Sequence, residues 1–229
     1  MLLRGTCVLT MVLSAAVCAM AQGPSSRPAG DLVPIKLELP KPQFVGTPKN
    51  IPPGTTVEKP TGKPRPPFLA PAGVTNVALK KPVTSSDANP IIGSLDLVTD
   101  GNKEAEEGNW VELGPELQWV QIDLEKPHRI YAIVFWHYHA DPRIFRDVVV
   151  QVSDDKDFVR NVKTLFNNDQ DDSSGLGVGK DREYFETSEG KLVDAGGVVA
   201  RYVRLYSRGS TADGQNQYLE VEVYGIPDK

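Results

Sequence analysis

The sequence predicts an all-β protein, a sandwich of about eight strands behind a leader and an extended proline-rich segment. Three observations carry this. The last stretch, RYVRLYSRGSTADGQNQYLEVEVYG, holds two alternating runs (residues 201–207 and 217–224) around a polar loop with Gly209, Asp213 and Gly214, the pattern of two antiparallel strands. All three tryptophans and all seven tyrosines lie between Trp110 and Tyr224, which places the core in residues 76–226. Within that span turn residues recur at short intervals, and no helical period of useful length appears.

Each strand follows from its own alternation. In 217–224, Leu219, Val221 and Val223 are expected on one face, with Tyr218, Glu220, Glu222 and Tyr224 on the other. QWVQIDL (118–124) aims Val120, Ile122 and Leu124 one way and Trp119, Gln121 and Asp123 the other. RIYAIVFWHY (129–138) is apolar on both faces, hence a central strand covered twice. DVVVQVS (147–153) turns Val148, Val150 and Val152 inward. Residues 76–78 open the domain, Lys81 and Pro82 begin an edge segment, and 161–166 and 182–187 are weaker strand candidates. Residues 227–229 are a short tail.

Upstream, residues 1–21 (MLLRGTCVLTMVLSAAVCAMA) read as a secretory signal: Arg4, an apolar run from Cys7 to Val17, and Ala19-Met20-Ala21 before a cleavage point at Gln22. The run is shorter than the ~20 residues of a span, so no membrane insertion is expected after cleavage. Acylation at Cys18 is the lesser alternative, since Val17 stands where a small residue is wanted. The expected location is secreted, periplasmic or extracellular. Both cysteines, Cys7 and Cys18, lie in the leader, so the mature domain must be stabilised by its core, with no disulfide.

Residues 22–75 hold 13 of the 19 prolines. Proline lacks an amide donor and fixes φ, which excludes a continuous helix or a central strand. The expectation is a solvated, semi-stiff spacer with only Phe44 and Phe68 as aromatics. The run Phe68-Leu69-Ala70 is its candidate contact with the domain. A net charge of −5 without a basic cluster excludes nucleic acid as a partner.

NVALKKPVTSS, LVTDGN, WVQIDLEKPHRIYAIVFW, VVVQVSDD, ARYVRLYS and LEVEVYG, in this order, resemble the discoidin superfamily: coagulation-factor C-type domains, fucose-binding lectins and carbohydrate-binding modules of bacterial glycosidases. The resemblance spans residues 76–225. It implies a jelly-roll, galactose-binding-like β-sandwich whose loops at one end form a binding surface. It also implies a structural calcium ion (Ca2+) on Asp100, Asn102 and Glu220, with carbonyls near Leu97 and Leu219. Hard oxygens in that mixture suit calcium, and Gly101 lets the turn bend. An Asx turn beside a solvent-facing Glu220 is the plainer alternative.

Sugar-binding members use an aromatic platform with polar loop residues, which here selects His139 and Arg143, then Arg146, with Trp110 as platform. The arginine spacing of fucose binders is not matched. A core Trp136 and an Arg143–Asp141 pair are the competing reading. Asn167, Asn168 and Asp169, in the acidic, glycine-rich stretch NNDQDDSSGLGVGK, are further candidate contacts, and the carboxylates of the stretch could hold a second calcium. The stretch fails the phosphate-loop spacing at Ser174 and Asp181. Strand alternation puts both imidazoles of His137-x-His139 on one face, a geometry that can chelate zinc or copper, with a third ligand from Asp141 or from Asp169, Asp171 and Asp172. The expected function is an exported, non-catalytic module recognising carbohydrate at a cell surface or matrix. The alternative is a protein-binding or adhesion module of the envelope, with an envelope protein as partner and exposed tyrosines as its interface; a glycoside-cleaving enzyme ranks behind both.

Overall fold

The computed structural model describes residues 31–43 and 56–228. The leader with Cys7 and Cys18, and Phe44, lie outside the described residues. Ten strands follow in order: β1 (Leu32–Pro34), β2 (Leu69–Pro71), β3 (Thr75–Asn76), β4 (Val83–Ser85), β5 (Val111–Leu113), β6 (Gln118–His137), β7 (Val149–Ser153), β8 (Lys163–Asn167), β9 (Lys191–Ser207) and β10 (Asn216–Pro227). A single 3₁₀ turn, Leu95–Thr99, interrupts the β order. No helix among the described residues is long and apolar enough to cross a membrane.

β6 and β9 serve both layers. Gln118–Asp123 pairs with Tyr202–Ser207 and with β4, and β9 continues to β7 and then β8. The later half of β6 pairs with β10 on one side and with Lys191–Asp194 on the other, and β10 adds β3 and β5. The corner falls where the register breaks between Asp123 and His128, with Glu125 at φ 68°. The runs 118–124 and 129–138 are thus one bent strand. All eight strands β3–β10 belong to the sandwich, as expected, while β1 and β2 pair only with each other.

The core lies between the layers. Val120, Ile122, Leu124, Val148, Val150 and Val152 meet Ile133, Phe135, Val221 and Val223 there, as their alternation requires. Leu219 departs from the pattern. A register shift between Tyr218 and Glu220 makes it the extra residue of a β-bulge, so Tyr218 enters the core and Leu219 turns outward. Residues 182–187 form no strand. The apolar signal belongs to 191–199 instead, where Gly196 and Gly197, both at positive φ, interrupt it. The tyrosines are not exposed either: all but half-buried Tyr138 are buried.

The outward face of the second layer explains why 129–138 is apolar on both sides. Ala132, Val134, Trp136, Leu219 and Tyr224 form a second cluster, against which Ile35, Leu37, Phe68 and Val74 pack. The described parts of the proline-rich segment therefore lie on the sandwich as a strap rather than as a free spacer. Proline excludes ladder pairing, but it does not exclude side-chain burial. The strap is held by Ile35 N–H to the Phe68 carbonyl (3.0 Å) and Tyr224 O–H to the Lys36 carbonyl (2.9 Å). Arg65 donates to the Glu189 and Gly190 carbonyls (2.8 Å each).

Candidate functional site

The end of the sandwich where β6–β7, β8–β9 and β9–β10 are joined carries a polar cleft of about 610 Å³. That volume suits a small ligand. Two of the joining loops are stitched together by Arg208 N–H to the Arg146 carbonyl (2.9 Å) and Arg146 N–H to the Gly209 carbonyl (3.0 Å). This places two arginines side by side in the cleft. Arg146 is exposed. Arg208 donates to Glu116 Oε2 (3.1 Å) and lies 3.9 Å from Asp147 Oδ2. Glu116, Asp147, Asp171 and Glu183 supply four carboxylates, Asn168 and Gln170 supply amides, and among the described residues no aromatic side chain lines the cleft.

Burial raises Asp147 above the usual carboxylate range, against a hydrogen bond from the Ser173 hydroxyl that lowers it. Asp169 is fully buried beneath. There burial pushes its carboxyl upward, and bonds from Ser174 and Asp171 outweigh it and hold the group low. Carboxylate oxygens of Asp147, Asp169 and Asp171 lie within 4.8 Å of one another. Those of Asp169 already accept N–H groups of Asp171, Ser173 and Ser174, so this residue shapes the loop.

Of the residues selected from sequence, Arg146 and Asn168 line the cleft. Asn168 Oδ1 accepts Val148 N–H (2.7 Å) while its buried Nδ2 finds no partner among the described residues. Asn167 is turned to loop-building, accepting Asp169 N–H and donating to the Gly177 carbonyl (2.8 Å). Arg143 and His139 are buried elsewhere. The Arg143 guanidinium is bidentate to Asp141 (2.6 Å each), donates to Gln217 Oε1 (2.6 Å) and stacks on Tyr138. Its role is to fix the loop. Arg143→Ala should lower the unfolding free energy by about 2 kcal/mol, measured by urea denaturation, because it breaks charge-assisted bonds and leaves Gln217 Oε1 buried without that donor. Trp110 is no platform in the cleft; it packs edge-on against Tyr138 (5.2 Å between centroids).

His137 and His139 do not form a chelate. β6 ends at His137, so the alternation that would align them stops there. His137 stacks on Phe145 in the interior, with Nδ1 2.7 Å from Glu186 Oε1. His139 donates through Nε2–H to the Lys103 carbonyl (2.9 Å). The cleft-lining residues missed from sequence include Arg208, Asp147, Glu116 and Glu183. Only Arg208, a charge directly after a strand, carried a local signal.

Away from the cleft, the turn at 100–102 meets β10. Asp100 Oδ1 accepts Asn102 N–H (2.7 Å), and Gly101, at φ +94°, donates its N–H to Glu220 Oε2 (3.0 Å). Glu220 is fully buried, not solvent-facing, and its Oε1 finds no hydrogen-bond partner among the described residues. Burial pushes its pKa up to about 9, with Glu222 and Asp100 adding repulsion. The nearby Lys103 ammonium is paired with Glu222. A buried carboxylate oxygen without a donor, close enough to the Asp100 carboxylate to be repelled by it and joined to the 100–102 turn through Gly101 N–H, offers the hard oxygens that fit a cation.

Residues 97–205 match the F5/F8 type C family model described as NedA-like, galactose-binding domain. No curated protein matches the chain. Among solved structures, the chain is similar to a fucose binding module of Streptococcus pneumoniae (19% identity, TM-score 0.46, covering 66% of this chain and 97% of the other). It is also similar to a chitosan-binding module from a chitosanase/glucanase of Paenibacillus sp. IK-5 (19%, 0.42, 66% and 98%). A third is a family 89 glycoside hydrolase from Clostridium perfringens, of which the chain spans 15% (16%, 0.48, 66% of this chain). The family match over residues 97–205, to a coagulation-factor type C, galactose-binding domain, agrees with the resemblance read from the ordered motifs.

Proposed function

We propose that this protein is an exported, non-catalytic carbohydrate-binding module whose ligand occupies the polar cleft. The observation that carries the reading is the cleft itself: paired guanidiniums, carboxylates and amides face one solvent-open volume at the loop end of a galactose-binding-like sandwich. Such groups donate to and accept from vicinal hydroxyls. With no aromatic among the described residues of the lining, recognition rests on hydrogen bonds in place of stacking. Four carboxylates against two guanidiniums favour neutral or amino saccharides over uronates.

The test is an array of glycans and polysaccharides probed with the purified protein. Arg208→Ala should weaken the best saccharide about 10- to 100-fold, the loss of one or two charge-assisted bonds, with the melting temperature nearly unchanged because its ion pair is solvent-exposed. No binding to any saccharide by the folded protein would sink the reading and turn the search to an envelope protein as partner.

Calcium is the second element of the proposal. Asp100, Asn102 and Glu220, with the carbonyls of Leu97 and Leu219, would hold it. Bound there, it would neutralise the buried carboxylate and tie the 100–102 turn to β10. The orphaned Glu220 Oε1 supports this assignment. Export rests on the leader pattern of residues 1–21.

A further inference from the structure

One wall of the cleft comes from outside the family-matched residues. Thr56, in the strap, is exposed and lines the cleft beside Glu183. Its N–H donates to Glu183 Oε2 (3.2 Å), and Glu58 N–H donates to the Glu183 carbonyl (2.8 Å). Between them Val57 is buried, 7% exposed, although its neighbours on both sides lie in solvent. The Glu58 carboxylate then meets the Lys191 ammonium at 2.9 Å, and that ammonium lies over the Phe166 and Tyr184 rings. Further along, Arg65 N–H donates to Glu189 Oε2 (3.1 Å) while its guanidinium takes the Glu189 and Gly190 carbonyls. The strap is therefore fastened to the β8–β9 loop at residue 183, at the start of β9 and at 189–190. Glu183 belongs to both structures: it faces the cleft and it anchors the strap.

We infer that the docked strap completes the ligand site, and that Thr56, set by Glu183, is a specificity-determining residue for the saccharide. This rests on the carbohydrate reading of the cleft. The Thr56 hydroxyl offers a donor and an acceptor at the rim, and the backbone bonds to Glu183 fix where it stands. A strap that lifts away removes this wall and also frees the Glu183 carboxylate to reorient. Affinity then falls by the fraction of molecules in which the strap is docked, and by reciprocity bound saccharide holds the strap down.

The full chain is tested as wild type, Val57→Asp and Thr56→Trp, with affinity for the best array saccharide and amide hydrogen exchange read together. Val57→Asp places a charge in the buried slot and should raise exchange across residues 56–65, leave exchange in 97–205 unchanged outside the 183–191 anchor, and weaken the saccharide at least tenfold. Thr56→Trp keeps the backbone anchors, so exchange at 56–65 should stay slow while the ranking of saccharides on the array changes. Saccharide should slow exchange at 56–65 in the wild type. A Val57→Asp protein with a released strap and wild-type affinity overturns the inference, as does a Thr56→Trp protein with an unaltered ranking. A wild type that binds no saccharide overturns the carbohydrate reading itself, which separates the two failures.

Discussion

Trp136→Ala is expected to lower the unfolding free energy by about 3–5 kcal/mol, the cost of emptying a fully buried tryptophan site. Trp136 is completely buried on the outward face of β6, where an ordinary sandwich strand would meet water. Its Nε1–H donates to the Ser188 carbonyl (3.0 Å), and the Lys103 ammonium lies 5.0 Å from its ring centroid. Gly190 sits at φ +63° against the ring, where a Cβ would come within 2.5 Å of it, so backbone and indole are fitted to one another. The apolar lid is the strap, through Ile35, Leu37 and Phe68 of the same cluster. Urea denaturation of the full chain reads the loss, with the slope unchanged if only stability has moved. A loss below about 1 kcal/mol would mean that the outward face is not a packed layer, and the strap would revert to a spacer.

On the proposed calcium assignment, adding a chelator should cost nearly as much. An ion bound only by the folded state stabilises it by about 3 kcal/mol at a hundredfold excess over its Kd. For a domain of this size that is a fall of roughly 6–12 °C in melting temperature on adding a chelator. Glu220→Gln supplies the control. It keeps the shape and an acceptor for Gly101 N–H but removes the charge, so its melting temperature should resemble that of the chelated wild type and ignore the chelator. An unchanged wild-type melting temperature in chelator would count against Asp100, Asn102 and Glu220 as ligands, and the 100–102 turn would then be an Asx turn closed on a protonated glutamate.

The sandwich was legible because period-2 alternation is local. Val120, Ile122 and Leu124, or Val148, Val150 and Val152, have neighbours that must face water or a second layer, so the core follows from the chain itself. The bulge at Leu219 was not legible, since one extra residue leaves the composition of a strand unchanged and shows only in the pairing with His137 and Trp136. The early half of β9 was hidden by Gly196-Gly197, which break the alternation without ending the strand. The site was legible only in part. Asn168 and Arg146 were found because their stretches are polar and loop-like. His139 and Arg143 were chosen on the same grounds, but Arg143 is taken up by Asp141 and Gln217, and His139 is buried away from the cleft with its Nε2–H on the Lys103 carbonyl.

By itself, then, the sequence determined the class of the domain, its strands and their buried faces, and a family resemblance resting on the order of several motifs. Tertiary structure alone decided what covers the outward face of β6 and which side chains share the cleft. Alternation states that a face must be buried, but not by what. A polar side chain states that it needs a partner, but not which. Thr56, Glu116, Arg146, Glu183 and Arg208 are far apart in the chain, and only the closing of the two layers brings them to one volume.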